Sequence, residues 1–333
     1  MAENELDEYR GIWVYLEQYD GWFENVSLEI LGKARELADT CGSDLTAVIL
    51  GQDLEAMAGG AIQRGADHVL LADDPVLNIY TTDAYTAVMA DLIQSRQPNV
   101  LLLGATHNGR DLAGRLAVRV RTGLTADAVR LDIDPAGELV AYTPGLGGRV
   151  LAACTCPNSR PQMATVRPGI FVMSNRDEGR TGSVERVPVA VDASDIRTEV
   201  LERVTGETVD LTGAERVVVA GLGTGGDLSL VRELATLLDA DVGVTRPIAD
   251  EGLIARDYQI GTTGASIRPE ILIVVGASGA MHFTSGIEES ETIIAVNIDP
   301  EAPMFEYADY CVVDDLFEVL PALIKRVNLN CQL

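Results

Sequence analysis

Short, unbroken apolar runs alternate with longer stretches whose apolar positions recur every three or four residues through the first half of the chain. Residues 12–16, 45–50, 68–72 and 100–103 read as strands, and residues 26–38, 56–64 and 84–95 as helices. In the first helix Val26, Ile30, Leu31, Ala34, Leu37 and Ala38 fall on one face. Strands that are apolar throughout have no solvent side, which predicts a parallel sheet covered by helices on both faces. After Asp127 the pattern changes to two alternating runs around Pro135-Ala136-Gly137, as in a hairpin.

Between residues 174 and 212 the chain turns polar and aperiodic, which places a boundary between domains 1–200 and 201–333. A chain of 333 residues also exceeds the size at which one core keeps growing. Beyond the boundary the alternation restarts with a strand from Val217, a helix over 228–238, strands over 271–275 and 293–296, and an amphipathic helix over 316–327. The expected architecture is two α/β domains, each a mainly parallel sheet flanked by helices.

Charge narrows the range of partners. Asp and Glu total 51 against 25 Lys and Arg, a formal charge of -26, and only Lys33 and Lys325 are lysines. Such a surface repels nucleic acid and anionic membranes. Its self-repulsion is relieved by screening ions, over about 3 Å at molar salt, so a salty cytoplasm is the expected setting. No uncharged apolar run reaches roughly eighteen residues and the first residues are acidic, so neither membrane insertion nor a signal peptide is expected. Five scattered cysteines make no disulfide framework. Cys154 and Cys156 are expected on one face of a strand, with no further metal ligands nearby. His107-Asn108-Gly109-Arg110-Asp111 reads as a polar loop after a strand, a helix start or a subunit contact. No Ser-His-Asp or paired-carboxylate arrangement is legible.

Three strand ends carry candidate chemistry. EILIVVGASG (270–279) runs a strand into a small-residue turn, with a helix expected from Ala280. Backbone N–H groups can face a phosphate in such a turn because no Cβ blocks the approach. VVVAGLGTGG (217–226) repeats the arrangement, and AVNIDPEA (295–302) sets Asn297 and Asp299 at a third strand end. Ligands of open parallel sheets bind outside the carboxyl ends of strands, so the three ends point to one nucleotide crevice.

The same region resembles a known family. Arg246, the run Tyr258-Gln259-Ile260-Gly261-Thr262-Thr263-Gly264, Pro269-Glu270, VGASGA and AVNIDPEAPMFEYADYCVVDDLFEVLP closely resemble the FAD domain of electron transfer flavoprotein alpha subunits. LLLGATHNGRDLAGRLAVR, TGLTAD (122–127) and RPQMATVRPG (160–169) extend the resemblance to the first half. It implies a Rossmann-like C-terminal domain holding FAD and an N-terminal domain that contacts a beta subunit. It also implies electrons received from flavin dehydrogenases, such as acyl-CoA dehydrogenases of fatty acid β-oxidation, and passed to an acceptor such as a quinone oxidoreductase. The flavin would do the chemistry, and no general base is expected.

Carried over by position, the resemblance puts the Arg246 guanidinium near the flavin ring, where a fixed cation favours electron-rich states. Thr263 would hydrogen-bond the ring, with Gln259 and Thr262 on the same loop. Ser278 and Gly279 would hold the pyrophosphate, and Asn297 and Asp315 the ribose or adenosine. Thr245, Ile260, Gly261, Ala280, His282 and Phe283 complete the implied cofactor-binding set. From the residues alone, Arg246 could equally make a surface ion pair and Asp315 could cap the helix beginning at Leu316. Three positions depart from the family pattern: Leu222 replaces an arginine, Phe283 a histidine and Ile298 a lysine, with His282 one place before the expected histidine. Two rivals remain at this stage, a bifurcating complex with a second flavin and a non-redox adenine-nucleotide-binding protein.

Overall fold

In the first half, chain order gives β1 (Ile12–Tyr15), β2 (Gln18–Tyr19), β3 (Trp22–Phe23), α1 (Asn25–Cys41), β4 (Leu45–Gly51), α2 (Glu55–Gln63) and β5 (His68–Asp73). These are followed by α3 (Thr82–Arg96), β6 (Val100–Gly104), α4 (His107–Val120), β7 (Leu124–Ala128), β8 (Arg130–Ile133), β9 (Leu139–Gly145), β10 (Val150–Cys154), β11 (Gln162–Val166) and β12 (Ser183–Arg186). The computed structural model describes residues 6, 8–145, 150–191, 194, 196–201 and 211–330. It divides into two units, Met1–Val204 and Thr205–Leu333.

In the first unit, seven strands pair in parallel in the order β12-β5-β4-β1-β6-β11-β7. Alternation along β1 explains why its apolar run is unbroken. Ile12 and Val14 enter one core with Val26, Ile30 and Leu31 of α1, while Trp13 and Tyr15 enter another with Val88 of α3 and Leu112 of α4. Each residue of the strand therefore meets a helix, and neither face is left for water.

The hairpin expected after Asp127 is β8–β9, extended by β10 into a three-stranded antiparallel sheet. Asp134 Oδ1 builds its turn by accepting from the N–H groups of Ala136 and Glu138 at 2.8 and 2.9 Å. One expectation needs correction and another is sharpened. β10 ends at Cys154, so Cys156 lies outside the strand, its Sγ 3.2 Å from Ser159 Oγ. The polar stretch from His107 is a helix start, as one of its readings had it, and not a loop. It is the first turn of α4, capped by Thr106, whose Oγ1 accepts from Gly109 N–H at 2.9 Å.

The second unit contains β13 (Arg216–Ala220), α5 (Ser229–Leu238), β14 (Asp241–Val244), α6 (Arg246–Asp250), β15 (Ile271–Val275), α7 (Met281–Thr284), β16 (Ile293–Asn297), β17 (Tyr310–Val313) and α8 (Leu316–Asn330). Its five strands are all parallel, in the order β14-β13-β15-β16-β17. The chain steps outward to β14 and then crosses back to β15, so strand order reverses between β13 and β15. Val231 and Leu234 of α5 pack with Leu320 and Ile324 of α8 over one face. Ile260, Phe283, Ile287 and Met304, mostly from irregular segments, cover the other. The helix expected from Ala280 is only the single short turn α7.

Candidate functional site

The carboxyl ends of β13 and β15 are held together backbone to backbone. A Cβ on Gly221 would lie 2.4 Å from the Cα of Ala277, so no other residue fits there. Gly223 N–H donates to Gly276 O at 2.9 Å across the same seam. The next turn is fixed from the far side. Gly279 has φ +83°, a Cβ on it would fall 2.2 Å from Met304 N, and that N–H donates to Ser278 O at 3.1 Å. The outcome is a cleft of about 650 Å³ whose floor is the small-residue segment Gly276 to Ala280. It sits where strand order reverses, the position at which open α/β sheets hold ligands.

β14 and β16 supply the flanks. Thr245, buried, follows β14 and precedes α6, which begins with Arg246. Arg246 Nε donates to Asp250 Oδ2 at 3.0 Å one turn on, while Arg256 reaches the other carboxylate oxygen at 3.3 Å. The Arg246 side chain is 62% exposed and lines the cleft, so it is both a surface ion pair and a cleft cation. Its terminal nitrogens make no hydrogen bond among the described residues. Gln259 is buried and its Nε2 donates to Thr263 Oγ1 at 2.8 Å, which fixes that hydroxyl at the cleft wall. Ala265 N–H donates to Gln259 O at 2.7 Å and Gly261 N–H to Ala265 O at 2.9 Å, closing the 259–265 loop on itself.

Eleven of the fourteen expected positions line the cleft: Thr245, Arg246, Gln259, Ile260, Thr263, Ser278, Gly279, Ala280, His282, Phe283 and Asn297. Gly261, Thr262 and Asp315 are not among its lining residues. Thr262 faces α7 instead, its N–H donating to His282 O at 2.7 Å and its hydroxyl lying 2.8 Å from Ser285 Oγ. Asp315 caps α8, accepting from Phe317 N–H at 2.9 Å, because its carboxylate lies beside the unpaired N–H groups of that helix start. Asn297 does structural work at the cleft edge: Nδ2 donates to Ala277 O at 2.8 Å and Oδ1 accepts from Asp299 N–H at 3.0 Å. Asp299, Pro247, Ala302 and Pro303 also line the cleft, and the expected set omitted them. Asp299 and its neighbours follow a strand end already read as ligand-facing, which was the available signal.

Comparison with known proteins decides the family. The Electron transfer flavoprotein domain matches residues 12–192, and the Electron transfer flavoprotein FAD-binding domain matches residues 210–288. The chain belongs to the electron transfer flavoprotein alpha-subunit family. The electron transfer flavoprotein subunit alpha of Thermoanaerobacterium thermosaccharolyticum is 42% identical over 327 residues, 97% of this chain and 99% of that protein. Protein FixB of Clostridium saccharobutylicum is 44% identical over 328 residues, covering 97% and 98% of the two chains. The acryloyl-CoA reductase electron transfer subunit beta of Anaerotignum propionicum is 37% identical over 362 residues, covering 98% and 99%.

An electron transfer flavoprotein alpha subunit binds FAD through its C-terminal domain, and here that domain contains the cleft. The donor set suits a dinucleotide: a turn of small residues with open backbone, one serine hydroxyl, and a guanidinium in the same lining. The three family departures occupy different surroundings. Leu222 lines the cleft and is half exposed, Ile298 is exposed outside it, and Phe283 is 6% exposed and packs into the core with Ile260 and Met304.

Among the described residues no helix is long and apolar enough to cross a membrane, and no group of His, Cys, Asp and Glu is placed to hold a metal ion.

Proposed function

We propose that this chain pairs with an electron transfer flavoprotein beta subunit and carries electrons through FAD held in the C-terminal cleft. Flavin dehydrogenases, acyl-CoA dehydrogenases of fatty acid oxidation among them, are the donors, and a quinone oxidoreductase or similar protein is the acceptor. The chain is then a carrier in a cytoplasmic heterodimer and not a stand-alone enzyme. The observation that carries this reading is the convergence of four parallel strand ends on one cleft containing Arg246, the Gln259–Thr263 pair and the 276–280 turn.

The bound flavin supplies the redox chemistry. Arg246 presents a fixed positive charge to the ring and is held from behind by Asp250. Gln259 orients the Thr263 hydroxyl so that it can hydrogen-bond the ring. Ser278 and the backbone of Gly279 and Ala280 hold the pyrophosphate, and the apolar wall at Ile260 and Phe283 limits water. The acryloyl-CoA reductase relative bears the name of an electron transfer subunit, which favours a donor or acceptor acting on coenzyme A thioesters.

The test is co-expression with the beta subunit in high salt, followed by a visible spectrum and FAD assay. A yellow complex with FAD in a fixed ratio is expected, reduced by an acyl-CoA dehydrogenase and its substrate. A folded, colourless complex that cannot be reconstituted with FAD would overturn the reading.

A further inference from the structure

A second cleft, of about 480 Å³, lies in the N-terminal unit and shares no residue with the set assigned to FAD. It opens at the carboxyl edge of the seven-stranded sheet. Tyr15 and Glu17 come from the end of β1, Asp53 from the end of β4, and Asn108 from the helix start after β6. β4 and β6 flank β1 on opposite sides, and the chain reaches β5 before crossing back to β6, so strand order reverses here too. That is the ligand-binding position of an open parallel sheet.

Two buried side chains face this space with chemistry the fold does not use up. Tyr15 is 3% exposed and lines the cleft, yet its hydroxyl makes no hydrogen bond among the described residues. Buried tyrosine hydroxyls ordinarily find a partner. Glu17 is 7% exposed and accepts from Thr106 Oγ1 at 2.5 Å and Asn108 Nδ2 at 3.0 Å, one donor for each carboxylate oxygen. Each oxygen retains a free lone pair. Burial pushes the Glu17 carboxyl above the usual carboxylate range, and Thr106, Asn108 and the nearby His107 do not cancel it. The negative charge is therefore under-compensated within the protein.

The remaining lining fixes the sign of the ligand. Asp20 and Asp53 add carboxylates, and among the described residues no Arg, Lys or His lines the cleft, so this lining repels a phosphate-bearing ligand. Tyr80 and Tyr85 add aromatic rings in an edge-to-face pair, centroids 4.9 Å apart, and aromatic faces attract cations. Their hydroxyls are already committed, Tyr80 to Asp111 at 2.6 Å and Tyr85 to Leu77 O at 2.8 Å. The Tyr15 hydroxyl and the Glu17 lone pairs are the buried groups left for a ligand that donates hydrogen bonds.

We propose that this cleft binds a small organic cation with N–H donors, an alkylammonium or guanidinium group, held by the Glu17 carboxylate and the Tyr15 hydroxyl. The site is independent of the flavin reading, since it shares no residue with the FAD cleft.

The experiment is isothermal titration of the purified full-length chain, with any subunit that co-purifies, at constant ionic strength. Methylguanidinium and ethylammonium are the probes, with tetramethylammonium and adenosine monophosphate as comparisons. One methylguanidinium or ethylammonium per chain is expected, with tetramethylammonium weaker and the nucleotide not displacing the cation. Glu17→Gln should weaken binding about tenfold or more and Tyr15→Phe about threefold, as the loss of a charged and a neutral hydrogen bond. FAD content should not change in either variant. Tyr15→Phe keeps the ring and its packing, so it decides the matter even where Glu17→Gln folds poorly. No binding of either N–H cation at millimolar concentration, unaltered affinity in Tyr15→Phe, or competition by the nucleotide would overturn the proposal.

Discussion

At the scale of single residues, the proposed function separates groups expected to tune the flavin from groups expected to shape its seat. Arg246→Ala should leave FAD bound, since the pyrophosphate turn is elsewhere, and should lower the flavin reduction potential by removing a positive charge. The gross attraction at about 4 Å and an effective dielectric near 20 is about 4 kcal/mol. Exposure of the side chain and its pairing with Asp250 reduce the net effect to roughly 1–2 kcal/mol. Arg246→Lys should restore part of it, because an ammonium cannot lie flat against the ring. Asp250→Asn supplies the opposite sign, raising the potential by unmasking the guanidinium. Spectroelectrochemical titration of the four proteins checks both signs, and unchanged potentials with FAD bound would place Arg246 away from the ring. Gly279→Ala tests the seat. A methyl group 2.2 Å from Met304 N, at φ +83°, should cost about 2–4 kcal/mol and release FAD, measured by thermal unfolding and flavin content. Ser278→Ala should weaken FAD binding while leaving the melting temperature of the FAD-free protein unchanged.

At the scale of elements, Asp67 joins four pieces of the N-terminal unit. Its carboxylate accepts from Leu45 N–H at the start of β4, from Arg35 of α1 and from Arg180 upstream of β12, and it directly precedes β5. Burial pushes its carboxyl up, but the Leu45 N–H and the two guanidiniums outweigh burial and hold it below the ordinary value. Because the folded-state value lies below the unfolded one, the stabilisation is complete above the ordinary carboxylate range and is lost as pH falls through the folded value. Asp67→Asn should therefore cost roughly 1–3 kcal/mol at neutral pH. It should also flatten the loss of stability on acidification, as read from urea unfolding across the acidic range; parallel pH profiles for variant and wild type would remove Asp67 from the acid transition. The sequence shows the central elements well for a related reason. β1, β4, β6, β13, β15 and β16 are apolar because both faces are covered, so a plain apolar run betrays them. β12 and β14 are edge strands that open on the polar residues Ser183 and Asp241 and carry no run, while β17 is an apolar but mostly exposed edge strand of only four residues. α4 opens on the polar residues His107, Asn108, Arg110 and Asp111, which hid the helical spacing of Leu112, Ala113, Leu116 and Ala117 behind them. In the cleft, the strand-end turns were legible because small residues mark a close backbone approach. Asp315 was legible from the residues alone as a cap of the helix beginning at Leu316, whereas Thr262 carried no sequence mark of where its side chain turns, since its hydrogen bonds to α7 depend on the folded chain.

For the whole molecule, charge dominates. With 51 acidic against 25 basic side chains, at least 26 carboxylates have no cation to pair with one to one. Among the described residues several ion pairs are exposed, such as Arg186–Glu55 at 59% and 79%, and pairs of that kind contribute about 0–1 kcal/mol each. They cannot offset mutual repulsion of the excess charge, so stability must come partly from counter-ions. As potassium chloride falls from about 2 M to about 0.1 M, the screening length grows from a few ångströms to about 10 Å and neighbouring carboxylates begin to feel one another. The thermal midpoint should drop by at least about 5 °C over that range, a shift of a few kcal/mol for a protein of this size. Chloride is the right salt, because sulfate also strengthens apolar burial and would mix two effects. Local charge can separate screening from any specific ion requirement. Glu288, Glu289 and Glu291 are all exposed on the segment before β16, and Glu288→Lys with Glu289→Lys reduces the net negative charge by four without touching a core residue. If repulsion is the cause, the double variant should recover part of the lost midpoint at low salt and gain nothing at high salt. Equal midpoints for the wild type at both concentrations would rule out a salt-adapted surface, and a variant that gains equally at both would trace its effect to local contacts.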